Sequence, residues 1–256
     1  MIIAIDAGHY RSTPGKRCMK KLDPNETREW YLNDRMARHV EALLADYECT
    51  VLRCDDRTGE KDTELYERAA KANRAGAAAF VSIHHNAGVN GCNGGGICVF
   101  RAENASDTTK RMQKAIYDET VKRTGLKGNR ATPLPVANHT VTYNAKMPSI
   151  LGEFGFMDSA TDVPIILTDE FSQQCAEGIV EALVATFKIK KKEIKKMDKF
   201  PDTKGSAHKD DIEWAAELGV VNGYTDGTFR PNEPITRGQM CTMLRRYDKA
   251  KQEGKA

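Results

Sequence analysis

The apolar run from Ala77 to Ile83 leads directly into Ser82-Ile-His-His-Asn-Ala87, and this junction constrains the fold more than any other stretch of the chain. A short apolar run bounded by polar residues reads as a buried strand of an α/β sheet. Ligand sites in such sheets form where the strands end, and here a strand end carries two imidazoles, His84 and His85. Three other segments have the same character: Ile2-Ile-Ala-Ile-Asp-Ala-Gly-His9, the acidic helix start Thr27-Arg-Glu-Trp-Tyr-Leu-Asn33, and Pro148-Ser-Ile-Leu-Gly-Glu153-Phe-Gly-Phe. A metal site is the arrangement that uses all four.

Zinc hydrolysis needs these residue types. Two His and one carboxylate hold Zn²⁺ and leave a position for water, whose pKa falls towards roughly 7. A further carboxylate takes the proton and returns it to the leaving nitrogen. His9 follows a strand and an Asp-Ala-Gly turn that frees its ring to enter a cleft. Glu29 lies in the first turn of a helix whose apolar positions, Leu32, Met36, Val40, Leu43 and Leu44, recur at helical spacing. Glu26 competes with it, and either serves equally as a solvated charge at the helix N-terminus. His84 is the second imidazole, because His85 points to the other face by the period-two rule. Glu153 ends Ile150-Leu151-Gly152, where an unpaired carboxylate is costly to bury, and is the candidate proton shuttle. Alone, a His at a strand end is more often structural and a Glu on a helix is more often solvated; convergence of the four carries the reading. No Cys-x-x-Cys pair offers a zinc-finger alternative.

These residues resemble the type 3 family of zinc-dependent N-acetylmuramoyl-L-alanine amidases. The resemblance covers residues 1 to about 187 through Asp6-Ala7-Gly8-His9, Pro14-Gly15-Lys16-Arg17, Arg28-Glu29-Trp30 with Asn33, Glu67 to Asn73, Ser82 to Ala87 and Met147 to Phe156. It implies one Zn²⁺ held by His9, Glu29 and His84, with Glu153 as the catalytic carboxylate. It also favours Glu29 over Glu26, since Glu29 has the family's Asn four residues on. The implied reaction hydrolyses the amide between the lactyl group of N-acetylmuramic acid and L-alanine of the stem peptide in peptidoglycan. Two departures stand out. The loop Tyr10 to Lys16 is not the glycine-rich form common in the family, and Gly152 replaces a bulkier aliphatic residue before the Glu. Arg68 and Asn86 read equally as substrate contacts or as braces of the sheet.

At 256 residues the chain has room for a sizeable core and one small module. Strands are expected near Ile2 to Asp6, Thr50 to Arg53, Ala79 to Ile83, Gly96 to Phe100 and Ile150 to Glu153. They alternate with helices near Arg28 to Asp46, Thr63 to Arg74, Asp107 to Thr124 and Glu170 to Phe187. This alternation gives an α/β fold, a twisted, mostly parallel or mixed sheet with helices on both faces, as the catalytic domain 1–187. The Gly/Asn-rich stretch Gly88 to Gly96 is a loop bordering the cleft. Residues 188–197 are a Lys-rich linker, or the frayed end of the last helix; attraction to anionic wall polymers is the functional alternative. Nucleic acid is discounted, because the net charge is only +3 and no aromatic residues interleave the lysines.

The segment 198–247 reads as helix, Gly stop, Asp-Gly turn, and a second helix capped by Thr236. It resembles a single surface-layer homology repeat, which makes it a small helical C-terminal module, with 248–256 as a charged tail. The resemblance implies binding of secondary cell-wall polysaccharide at Asp226, Gly227, Thr228, Arg230, Thr236 and Arg237, with the forked donors of Arg237 suited to an acidic sugar. Asp226-Gly227-Thr228 also reads simply as a turn, and Trp214 as core. That family carries three repeats and this chain one, so a core this small is expected to form a homo-oligomer, as a trimer, or to dock on the catalytic domain.

The chain opens on a strand with no signal-peptide pattern or membrane-length stretch, and its 7 cysteines fit a reducing compartment. The expectation is a phage or prophage endolysin made in the host cytoplasm and acting at the wall, with a secreted bacterial autolysin whose leader was removed as the alternative. A zinc peptidase cutting stem-peptide bonds and a non-enzymatic wall adhesin are the rival classes.

Overall fold

Short apolar runs separated by amphipathic helices build one sheet. In chain order the elements are β1 (Ile2–Ala7), α1 (Glu29–Leu44), β2 (Thr50–Arg53), α2 (Leu65–Arg74), β3 (Ala79–Asn86), β4 (Ile97–Phe100), α3 (Asp107–Thr124), α4 (Thr140–Tyr143), β5 (Ser149–Phe156), α5 (Val163–Ile166) and α6 (Asp169–Phe187). The strand order is β2-β1-β3-β5-β4, with every neighbouring pair parallel except β4 against β5. The structure is a computed structural model that describes residues 1–192 and 199–253, in two units, Met1–Lys192 and Glu193–Ala256.

Alternation along each strand divides the first unit into two layers. Ile3, Ile5, Val81, Ile83, Ile150 and Phe154 face a core closed by α1, α3 and α6. From α1 it receives Leu32, Met36, Val40 and Leu44, the expected stripe, each fully buried apolar side chain contributing roughly 1.5–3 kcal/mol. Ala4, Phe80 and Leu151 face the other way, against Ala72 of α2 and Val141 of α4. On that second face the register sets His84 beside Glu153 and Glu153 beside Cys98.

Two differences from the sequence reading have clear causes. β3 runs on to Asn86, so His84 lies inside the strand, just before a register shift, not at its end. Residues 188–192, placed in the linker on composition, continue the first unit: after Lys188 turns left-handed (φ 53°), Ile189 is buried in the core. Lys191 then bridges Tyr47, and Lys192 bonds Asp46 O through its N–H and Ala45 O through Nζ. A lysine at the carbonyl end of α1 is electrostatically favourable there. Positions 193–198, the rest of the Lys-rich run, lie outside the described residues.

In the second unit a short 3-10 turn (Pro201–Thr203) precedes α7 (Lys209–Glu217) and α8 (Arg237–Gln252). Phe200, Ile212, Ala216, Val220 and Val221 form its core, with Phe229 and Met243 packed against them. Trp214, expected in the core, is instead 49% exposed beside Tyr247. It lies two residues from Ile212 and from Ala216, which places it on the opposite face of the helix. Residues 248–252, assigned to a tail, continue α8; 254–256 lie outside the described residues.

Candidate metal centre

His9, Glu29 and His84 come from β1's exit, the first residue of α1 and the middle of the sheet, and one ligand atom from each lies within 4.8 Å of the others. Several local devices assemble them. His9 holds a left-handed backbone (φ 66°), unusual for a residue with a side chain and costing about 1–3 kcal/mol. Gly8 lets the His84 ring lie against the chain, since a Cβ there would stand 2.0 Å from the ring. Arg68, fully buried, holds the β1 exit by bonds to Asp6 Oδ1 (2.9 Å), Ala7 O (2.8 Å) and His9 O (2.9 Å). Arg68 is therefore a brace.

Glu29 is buried, and its two oxygens differ. Oε1 lies 3.1 Å from His84 Nδ1 and accepts the His85 N–H at 3.1 Å. Oε2 has no hydrogen-bond partner; His9 Nε2 at 3.3 Å and Lys16 Nζ at 3.9 Å are its neighbours. The His9 and His84 rings are perpendicular, 4.9 Å apart. A buried carboxylate oxygen without a donor, flanked by imidazole nitrogens, is the donor set that suits Zn²⁺. Glu26 lies apart, paired with Arg17 at 3.3 Å and Lys20 at 4.0 Å. Burial alone would raise the Glu29 carboxyl, but its contacts with His84 and His9 hold it below the usual carboxylate range. Burial alone would likewise lower His84, but Glu29 raises it.

His85 had no assigned role in the sequence reading. Its Nδ1 lies 2.8 Å from Asn33 Oδ1, and Asn33 Nδ2 donates to Gly8 O at 3.1 Å. Burial keeps it neutral, down to about 3. It thus orients Asn33 and, through its N–H, Glu29. The signal was present, since period-two alternation sends it to the α1 side where Asn33 is.

Glu153 stands in register with His84. Its Oε2 is buried with no hydrogen-bond partner. Burial pushes its carboxyl up to about 7; the Glu29 charge adds to this, and His84 and Lys16 oppose it. Gly152 is explained by Phe154, whose ring fills the space an aliphatic side chain would occupy: a Cβ on Gly152 would meet it at 2.5 Å. The loop beyond β3 is pinned by Asp158, whose Oδ2 accepts the N–H groups of Gly88, Val89 and Asn90 at 2.8, 2.9 and 2.8 Å. Asn86 bonds the following backbone N–H through its own side chain, at 2.8 Å.

A stability prediction follows. In the metal-free protein Glu153 binds its proton more tightly than in the unfolded chain. The stability this contributes is fully present below the ordinary carboxyl pKa of 4.5 and is lost as pH rises through about 7. Glu153→Gln, which cannot ionise, is predicted to match the wild type at about pH 4 and to exceed it at about pH 8 by on the order of 3 kcal/mol. Denaturant unfolding of both metal-free proteins across this range checks it; parallel curves would refute the burial argument.

In the second unit, Asp226 Oδ1 accepts from Thr228 N–H (3.0 Å) and Oγ1 (2.6 Å), and Oδ2 from Arg230 (2.9 Å). Arg230 also stacks on Tyr224 at 4.0 Å. Gly227 supplies the left-handed turn (φ 84°), and Thr236 caps α8 in a capping box. Arg237 is exposed in the first turn of α8. Five of the six candidate positions therefore have structural duties.

Comparison with known proteins places these observations among relatives. Residues 3–185 match the N-acetylmuramoyl-L-alanine amidase family and residues 199–241 the S-layer homology domain. The endolysin of Bacillus phage SPP1 is 30% identical over 196 residues, covering 75% of this chain and 68% of that protein. The sporulation-specific N-acetylmuramoyl-L-alanine amidase of Bacillus subtilis (strain 168) is 30% identical over 192 residues, 74% of this chain and 69% of that one. The crystal structure of N-acetylmuramoyl-L-alanine amidase from Clostridium difficile 630 superposes with a TM-score of 0.65 at 26% identity, covering 73% of this chain and 96% of that one.

Proposed function

The chain belongs to the N-acetylmuramoyl-L-alanine amidase family and is a peptidoglycan amidase, and on that premise we propose that His9, Glu29 and His84 hold one zinc ion and that Glu153 moves the proton. The bond cut is the amide between the lactyl group of N-acetylmuramic acid and L-alanine. When bound, zinc supplies Lewis acidity towards the scissile carbonyl and lowers the pKa of water. Glu153 Oε2, buried and without a protein partner, accepts the proton of the attacking water and delivers it to the departing alanine nitrogen. A carboxyl near neutrality suits both halves of that transfer. Glu29 keeps its charge because two imidazoles flank it, and Asn33 and His85 keep its orientation. That orphaned Glu153 oxygen, in register with His84, carries the reading.

The S-layer homology match supports attachment to the cell wall, and we read its ligand as secondary wall polysaccharide met by Arg237. Ile235, Met240, Leu244 and Tyr247 are exposed in this unit, which supports self-association of the single repeat. A lytic, endolysin-type role is supported by the phage relative, and a cell-wall maturation role by the sporulation relative.

Mass spectrometry of fragments released from purified peptidoglycan tests the chemistry. The expected products are intact lactyl-muramic acid and peptides with a new N-terminal alanine, both lost on chelation. Scission within the stem peptide would move the protein to the peptidases, and no release would leave a binding protein.

A further inference from the structure

The loop after His9 brings Lys16 to the centre. Gly15 turns left-handed (φ 74°), Arg17 bridges Arg28 in antiparallel fashion, and the Glu29 N–H donates to Lys16 O at 3.1 Å. The pairing of these two backbone segments therefore fixes Lys16 beside the ligand carboxylate. Its Nζ lies 3.9 Å from Glu29 Oε2, and its side chain is 47% exposed.

The neighbouring cations are committed elsewhere. Arg11 pairs with Glu60 at 2.8 Å, Arg17 with Glu26 at 3.3 Å, and Arg28 donates to Thr13 O at 3.2 Å. Among the described residues, Glu29 is the ion-pair partner of Lys16. When a divalent cation takes the charge of Glu29, that partner is lost. A half-exposed ammonium beside Glu29 would then be left to pair with another anion.

We propose that Lys16 is the carboxylate-binding residue of the substrate cleft, released by metal binding to hold an acidic group on the departing peptide. The proposal rests on the amidase reading for the identity of that peptide. It gives the enzyme a preference for stems whose residue after alanine keeps a free carboxylate over those in which it is a carboxamide. Because the contact is the same in ground and transition states, its loss removes the difference in KM between the two substrates.

The test uses the zinc-loaded full chain and two synthetic muramoyl peptides that differ only as carboxylate or carboxamide after alanine. The wild type is expected to favour the carboxylate about 10-fold in KM, within the range of one charged hydrogen bond. Lys16→Met should erase that preference, with any change in kcat equal on the two substrates, and Lys16→Arg should keep it. Zinc competition titrations should show Lys16→Met binding the ion several-fold more tightly, because a cation has left the ligand oxygen. No preference in the wild type, a preference retained by Lys16→Met, or unchanged zinc affinity would each overturn the proposal. If the wild type cleaves neither peptide, the amidase reading fails instead. Titration of the alanine-led product peptides, acid against amide, then still decides on Lys16.

Discussion

Glu153→Gln is expected to lower kcat for peptidoglycan hydrolysis by about 10²–10⁴-fold, the usual contribution of a positioned proton-transfer group, while KM and zinc content stay near wild type. The substitution keeps the shape of the side chain and removes only its ability to carry a proton. The surroundings make that loss hard to compensate. Among the described residues Oε2 has no hydrogen-bond partner, so none of them is placed to relay in its stead. His84, the adjacent residue across the sheet, is tied to Glu29 at 3.1 Å. Turbidity loss of purified walls, run beside a wall-pelleting assay, checks this. Lysis that survives the change would remove Glu153 from the reaction, whereas lost lysis with retained wall binding also excludes the pure adhesin.

His84→Ala is expected to do more: to cut bound zinc to background and to leave no measurable hydrolysis. Three protein ligands are the minimum of a catalytic zinc site, and removing one exposes the other two to competing water. The loss also strands Glu29, whose low carboxyl pKa depends on its two imidazole neighbours, so a buried charge is left half-compensated. Asn33→Ala provides the graded comparison, because Asn33 touches Glu29 and His85 but offers no ligand atom to the cluster. Changes at such supporting residues cost about 10–100-fold in metal affinity. Metal analysis after dialysis, with thermal melts to confirm folding, separates the two. Full zinc occupancy in folded His84→Ala would show that the cluster is not the metal site.

Much of this was legible in the sequence because it depends on alternation. β2 and α3 have the expected bounds, and the helical stripe of α1 is the buried one. The same period-two rule separates His84 from His85 and gives each its face. Other features escaped because they depend on what lies across a gap in the chain. Lys16 is a surface lysine by composition, and only the pairing of its segment with the start of α1 brings it to Glu29. Asp158 looks like an ordinary charge until the loop it holds is in place. The lysines from 188 resemble solvent-loving linker, yet one buried Ile and the carbonyl end of α1 are enough to dock the first of them. Trp214 shows the converse: a large aromatic suggests core, but its place on the helical wheel points it outwards.

The order in which the sheet is threaded has a consequence for the birth of activity. The three metal-cluster residues all precede β4, whereas Glu153 arrives on β5, which is inserted between β3 and β4 by long-range pairing. Pairings between distant segments form late and slowly. A chain in which β5 has not yet paired therefore holds the three cluster residues without the carboxyl proposed to move the proton.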